Sequence, residues 1–196
     1  MSIKTDGTLW TWGTNHYGML GHNQASTNYS SPKQVGSDTD WSQVTGGYQH
    51  SLFLKTDGTL WSVGEDGNGR LGINVGDNAG RRSSPTQVPG TTWSKVSAGY
   101  KHSVATKTDG TLWAWGDNSK GQLGQNANTS VDGYSSPVQV PGTTWNRVTA
   151  GEWSVVAIKT DGTLWTWGEN QNGELANNST IKRSSPTQIP GTNWSG

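Results

Sequence analysis

Residue types able to carry acid–base or metal chemistry are sparse in this chain. There are four histidines, His16, His22, His50 and His102, and no cysteine, so thiolate chemistry and disulfides are excluded. His50 and His102 occupy the same place in a repeated Ala/Gly-Gly-x-x-His-Ser pattern, but the next copy carries Ser154 there. A catalytic imidazole needs a nucleophile and an orienting partner, and the missing third copy argues against a catalytic pair. His16 and His22 occur in one copy only and make a weak metal signal. The oxygen-rich loops Asp66-Gly67-Asn68-Gly69, Asp117-Asn118 and Asn170-Gln171-Asn172-Gly173 superficially resemble calcium loops. They lack the acidic spacing and bidentate glutamate of a calcium-binding hand, and Asx residues in turns commonly bond their own backbone. There is no phosphate-binding Gly-x-x-x-x-Gly-Lys-Ser/Thr run and no Gly-x-Ser-x-Gly elbow. No catalytic residue, cofactor or metal ligand is therefore assigned.

Recognition chemistry is better represented. Twelve tryptophans could stack on sugar rings, and Asn/Asp-rich loops could supply hydrogen bonds, giving a lectin with several weak sites strengthened by avidity. Most of the tryptophans are periodic, as a shared core requires, and packing is the expected role. Variation at otherwise repeated positions is a sharper lead. Between the Ala/Gly-Gly and the next strand the copies read Tyr48-Gln49, Tyr100-Lys101 and Glu152-Trp153. A constant scaffold with changing turn tips behaves as a binding surface, and neutral drift at exposed positions is the competing explanation.

The elements that would position these tips follow from one repeated stretch. Lys-Thr-Asp-Gly-Thr-Leu-Trp begins at Lys4, Lys55, Lys107 and Lys159. A period near fifty residues, rich in β-formers and glycine turns, is the signature of a propeller or solenoid. In the third copy, Ser94–Gly99, His102–Lys107 and Thr111–Gly116 read as three strands, the last two joined by an Asp-Gly hairpin turn. Alternation puts Trp113 and Trp115 on one face and Leu112 and Ala114 on the other. Ser136–Gly142, with proline near both ends, reads as an outer edge strand. The expectation is an all-β propeller of about four four-stranded blades of 51–52 residues, forming one domain over residues 1–196 that starts and ends mid-blade. The variable turns then fall between the innermost strands, around a central channel. The segments 72–83, 124–135 and 176–184 differ in length and sequence and could form a second variable surface.

Gly-x-Asn-x-x-Gly-x-Leu-Gly after a Trp-Gly strand, with Ala-Gly-x-x-His-Ser and the Asp-Gly hairpin, resembles the regulator of chromosome condensation repeat family, in its bacterial and phage-like form. The resemblance spans essentially the whole chain and implies closed propellers, commonly of seven blades, in which the repeated histidine bonds a hairpin. Val63 in place of Trp, Ala176 in place of the last loop glycine, and Ser154 in place of His depart from the pattern. Nucleotide exchange on a small GTPase would imply an acidic loop wedge, which is absent here. Chromatin binding would imply basic tails, whereas fourteen basic residues balance fourteen acidic ones. Bacterial members that inhibit β-lactamase through propeller-face aromatics make Tyr48, Tyr100 and Trp153 plausible protein contacts.

The Val-x-Ala/Gly-Gly strand occurs three times, at Val44, Val96 and Val148, against four Asp-Gly turns. One inner strand is thus expected to be missing, and the ring is expected to stay incomplete within one chain. Either further blades lie beyond it or chains complete one another. Self-association is favoured, because an open blade face would expose apolar surface that soluble monomers rarely tolerate, and a dimer of eight blade equivalents is the simplest ring. The functional expectation is a non-catalytic protein-interaction propeller, binding an unknown protein or glycan through Tyr48, Gln49, Tyr100, Lys101, Glu152 and Trp153. A lectin-like propeller and an excised or engineered fragment without native activity are the alternatives. Neutral charge gives no reason to expect nucleic acid, and no apolar run reaches membrane-spanning length. The opening residues run directly into a repeat, so no signal peptide is expected in them, and the location is left open.

Overall fold

Each Lys-Thr-Asp-Gly-Thr-Leu-Trp stretch builds the same turn. In the first copy, Asp6 Oδ1 accepts the Thr8 amide at 3.0 Å and the Thr8 hydroxyl at 2.6 Å, and Thr8 Oγ1 accepts Trp10 Nε1–H at 2.8 Å. The same three bonds recur in the sets Asp57/Thr59/Trp61, Asp109/Thr111/Trp113 and Asp161/Thr163/Trp165. The turn glycine also couples blades. The Gly110 carbonyl accepts the Trp145 amide of the next blade at 2.9 Å. At Gly110, φ is +80°, and a Cβ would sit 3.2 Å from the Thr144 amide nitrogen. Only glycine combines that conformation with that approach.

The computed structural model describes residues 1–75, 80–126 and 133–195. It is all-β apart from one short 3-10 turn. The first blade has three strands, β1 (Ser2–Ile3), β2 (Leu9–Gly13) and β3 (Tyr29–Gln34). The second contains β4 (Trp41–Gly46), β5 (His50–Lys55), β6 (Leu60–Glu65) and β7 (Arg81–Val88). The third contains β8 (Trp93–Ala98), β9 (His102–Lys107), β10 (Leu112–Asp117) and β11 (Gly133–Val140). The fourth contains β12 (Trp145–Ala150), β13 (Ser154–Lys159), β14 (Leu164–Gly168) and β15 (Arg183–Ile189). All sheets are antiparallel meanders, and β4, β8 and β12 lie against one another around the axis. No strand pairing among the described residues joins the first blade to the fourth.

The core lies between blades rather than within them. Each blade presents a leucine/valine face to its successor and a tryptophan face to its predecessor. Between the third and fourth blades, Val104, Leu112, Ala114, Leu123 and Val140 meet Trp145, Val148, Val155, Ala157 and Trp167. Leu52, Leu54, Leu60 and Val88 meet Trp93, Val96, Ala105 and Trp115 one interface earlier. The alternation expected for Leu112/Ala114 and Trp113/Trp115 is realised, one pair in each cluster. Between the first two blades, Leu9 and Val35 meet Trp41, Phe53 and Val63. Here Val63 replaces the buried tryptophan and Phe53 stands where Ala105 and Ala157 stand, so a large residue has moved to the neighbouring strand with the volume conserved.

The outer strand differs from expectation. β11 runs Gly133–Val140, so Pro137 is inside it rather than near its start. The register shifts between Ala114 and Gly116, and equivalent shifts interrupt every outer pair. A bulge removes ladder bonds locally and so admits a proline. Trp194 and Ser195, where the chain was expected to end mid-blade on the start of an inner strand, are in no strand, and Gly196 lies outside the described residues. Parts of two variable loops, 76–79 and 127–132, also lie outside them.

Candidate functional site

The turns joining β4 to β5, β8 to β9 and β12 to β13 meet at one end of the inner strands. Their backbones are tied down on both sides. Gly47, Gly99 and Gly151 amides bond the His50, His102 and Ser154 carbonyls at 2.8, 2.9 and 2.8 Å. The carbonyls of Gln49, Lys101 and Trp153 accept the Glu65, Asp117 and Glu169 amides at 2.9, 2.9 and 3.0 Å. The tips are thus fixed while their side chains are free to differ.

Those side chains form an aromatic ladder. The rings of Tyr48 and Tyr100 stack with centroids 4.3 Å apart at 17°, and Tyr100 meets Trp153 at 4.8 Å and 46°. By position, Trp153 corresponds to Gln49 and Lys101; the aromatic has shifted one residue yet still meets Tyr100, tilted rather than stacked. The Tyr100 amide bonds the Glu152 carbonyl at 3.2 Å, tying adjacent blades. Tyr48 is 54% exposed, and Glu152 is exposed beside it. Partial desolvation and the Tyr48 hydroxyl push the Tyr100 phenol above its ordinary value. The adjoining cleft, 390 Å³, is floored by Gly47, Gly99 and Gly151 and walled by Tyr48, Tyr100 and Glu152.

The six variable residues therefore divide. Tyr48, Tyr100, Trp153 and Glu152 share the rim. Lys101 reaches it from the side, with Nζ 5.8 Å from the Tyr100 ring. Gln49 turns away, its Oε1 accepting from Arg70 Nη1 at 3.1 Å, while Arg70 pairs with Glu65 at 2.9 Å. A second inward row escaped the sequence reading. Gln43, Lys95 and Arg147 are equivalent residues of β4, β8 and β12 and line a 580 Å³ cavity. Their signal was the register, two residues after each inner-strand tryptophan.

Of the two repeated histidines, His50 bonds within the scaffold. His50 Nε2 lies 2.9 Å from Ser103 Oγ, which donates to the Arg70 carbonyl at 2.9 Å. His102 has no such partner, because Val155 stands where Ser103 does. The loop Asx residues also bond their own backbone. Asn15, Asp66, Asn118 and Asn170 each accept, through Oδ1, the amide five residues on, at 2.9–3.1 Å. Among the described residues no group of three or more His, Asp or Glu could hold a metal, and no helix is long and apolar enough to cross a membrane.

The model for the Regulator of chromosome condensation (RCC1) repeat matches residues 6–54, 57–106, 109–158 and 161–194. The probable E3 ubiquitin-protein ligase HERC6 of Homo sapiens is 30% identical over 181 residues, covering 88% of this chain and 17% of that protein. The regulator of chromosome condensation of Xenopus laevis is 30% identical over 146 residues, covering 72% of this chain and 33% of that one. Yeast RCC1 (Prp20), in its crystal structure with Kap60, superposes with a TM-score of 0.82 at 20% identity, over 97% of this chain and 46% of that chain. The chain thus spans a third or less of these two curated relatives and under half of the solved one.

Proposed function

We propose that this chain, which belongs to the Regulator of chromosome condensation (RCC1) repeat family, is a non-catalytic interaction propeller that binds a protein partner through its aromatic rim. The observation that carries this reading is the contiguous aromatic row in which Tyr48 stacks on Tyr100 and Tyr100 meets a tilted Trp153, on turns whose backbones are fixed. Tyr48 is exposed and Tyr100 and Trp153 are half-buried; rigid tyrosine and tryptophan give large contact area at low entropic cost, and such residues dominate binding hot spots. The test is affinity capture with the wild-type chain and with a Tyr48→Ser/Trp153→Ser variant, followed by reconstitution from purified components. A partner bound by wild type and weakened at least tenfold by the variant supports the reading. A partner retained equally by both would remove the rim from the interface.

Self-association is a second component, favoured by a separate observation. Trp12, on the tryptophan face of the first blade, is 40% exposed, whereas the equivalent Trp115 and Trp167 are fully buried. Val156, on the leucine/valine face of the fourth, is 36% exposed, against 0% for the equivalent Leu52 and Val104. These two faces have the complementary chemistry of the three internal interfaces, so a second copy can be received by the same packing.

A further inference from the structure

The cleft between the first and second blades departs from its counterparts in three coupled ways. Elsewhere the blade-to-blade connection reads Pro-Gly-Thr-Thr/Asn before the tryptophan, as in Pro89–Thr92, Pro141–Thr144 and Pro190–Asn193. There the glycine packs on the indole edge: a Cβ at Gly90, Gly142 or Gly191 would lie 3.7, 3.5 or 3.4 Å from Nε1 of Trp93, Trp145 or Trp194. The first connection is instead Gly36-Ser37-Asp38-Thr39-Asp40, one residue longer and without proline. A Cβ at Gly36 would meet nothing within 4 Å, so the plug is withdrawn.

The lysine cover is withdrawn as well. Lys107 and Lys159 hold Nζ 4.4 and 4.6 Å from the ring centroids of Trp113 and Trp165. Lys55 is drawn toward Asp38 and Asp40, at 2.7 and 3.1 Å, and its distance to the Trp61 ring grows to 5.7 Å. The resulting cavity is 490 Å³, against 300 Å³ for the counterpart between the second and third blades. Its wall is the Trp61 ring with Val35 and Pro85, and Asn23, Gln34 and Asp38 stand at its edge. Asn23 uses Oδ1 to accept the Ser84 hydroxyl at 3.0 Å, which leaves its amide donor available. Asp38 uses Oδ2 on Lys55, which leaves Oδ1 available.

An apolar wall edged by a carboxylate and two amides, with the Lys33 and His22 side chains also in the lining, matches a ligand with one apolar face and a girdle of hydroxyls. We propose that this cleft binds a pyranose ring, stacked on Trp61 and hydrogen-bonded through Asn23, Gln34 and Asp38. It is one site at one interface, independent of whether the rim binds a protein.

The test is a titration of the ¹³C,¹⁵N-labelled chain with methyl glucoside, galactoside, mannoside and N-acetylglucosaminide, following the tryptophan indole signals. One of them is expected to shift the Trp61 indole with Kd on the order of 1 mM or tighter. Trp61→Ala should weaken that binding at least tenfold, while Trp113→Ala, at the plugged counterpart, should leave it unchanged. Gln34→Ala and Asp38→Ala are edge substitutions that serve if Trp61→Ala does not fold, and each should weaken binding several-fold. No indole shift with any glycoside overturns the proposal. So do shifts confined to Trp153 and the tyrosines of the rim, or shifts produced by free indole but by no glycoside.

Discussion

His50 and His102 are fully buried, and burial holds both imidazoles neutral, pushing them down to about 3 and about 4. For His50, the nearby charges of Arg70 and His102 add to the effect. The unfolded chain takes up protons near pH 6.5, so stability is intact above that pH and is lost as pH falls toward the folded values. Each histidine contributes a slope of about 1.4 kcal/mol per pH unit. His102→Gln should flatten the acid limb of stability by about that amount, read from urea unfolding at a series of pH values. Asp66 has the opposite sign. Burial, only partly offset by the Leu71 amide and by Arg82 and Arg70, raises its carboxyl to about 6, so ionisation at neutral pH costs stability. Asn stands at the equivalent positions 15, 118 and 170. Asp66→Asn should therefore stabilise by roughly 1–3 kcal/mol at pH 7 and by almost nothing at pH 3.5, where the aspartate is protonated in the folded state and mostly so in the unfolded one. Three equivalent carbonyls show the same economy of substitution. Arg70 O accepts both Ser103 Oγ and Trp115 Nε1, Met19 O keeps Ser51 where Val63 lacks the indole, and Gln122 O keeps Trp167 where Val155 lacks the hydroxyl.

At the scale of strands, the Phe53/Val63 pair makes a direct test of interface packing. Phe53→Ala should leave a cavity costing about 3–5 kcal/mol, and Val63→Trp alone should overpack by about 1–3 kcal/mol. The double variant copies the third and fourth blades and should recover most of the sum, a coupling that denaturation of all four proteins measures. The turn predicts differently. Gly110→Ala meets both a positive φ and the Thr144 backbone, so it should destabilise by about 1–3 kcal/mol and loosen the amide of Trp145, visible as faster hydrogen exchange there. The turns and the paired faces were legible in the sequence because their cause is local: an Asx turn is made by residues two apart, and alternation follows from the pleat. The position of Pro137 inside β11 was not legible, because a bulge depends on which residues of the partner strand are left unpaired.

For the whole molecule, the open Trp12 and Val156 faces set the expectation. Light scattering across a dilution series should give about twice the chain mass of 21.0 kDa if a second copy covers them, and Val156→Asp should return the mass to that of one chain. A single-chain mass at all concentrations would remove self-association. Among the described residues each core cluster is shared by two blades, and none belongs to a single blade. Unfolding is expected to spread through interfaces, as in other repeat arrays.

The sequence by itself determined the repeat, its turns and the two faces of each strand, since these follow from periods of two and about fifty-two and from the chemistry of Asp-Gly. It also placed Tyr48, Tyr100 and Trp153 among the residues to watch. Only the tertiary structure decided that their rings meet in one row, that Gln49 leaves the group for Arg70, and that one of several similar clefts has lost its plug and its lysine cover. Those outcomes depend on distances between residues of different blades, about fifty positions apart in the chain, and separation in sequence carries no information about which side chain fills a given space.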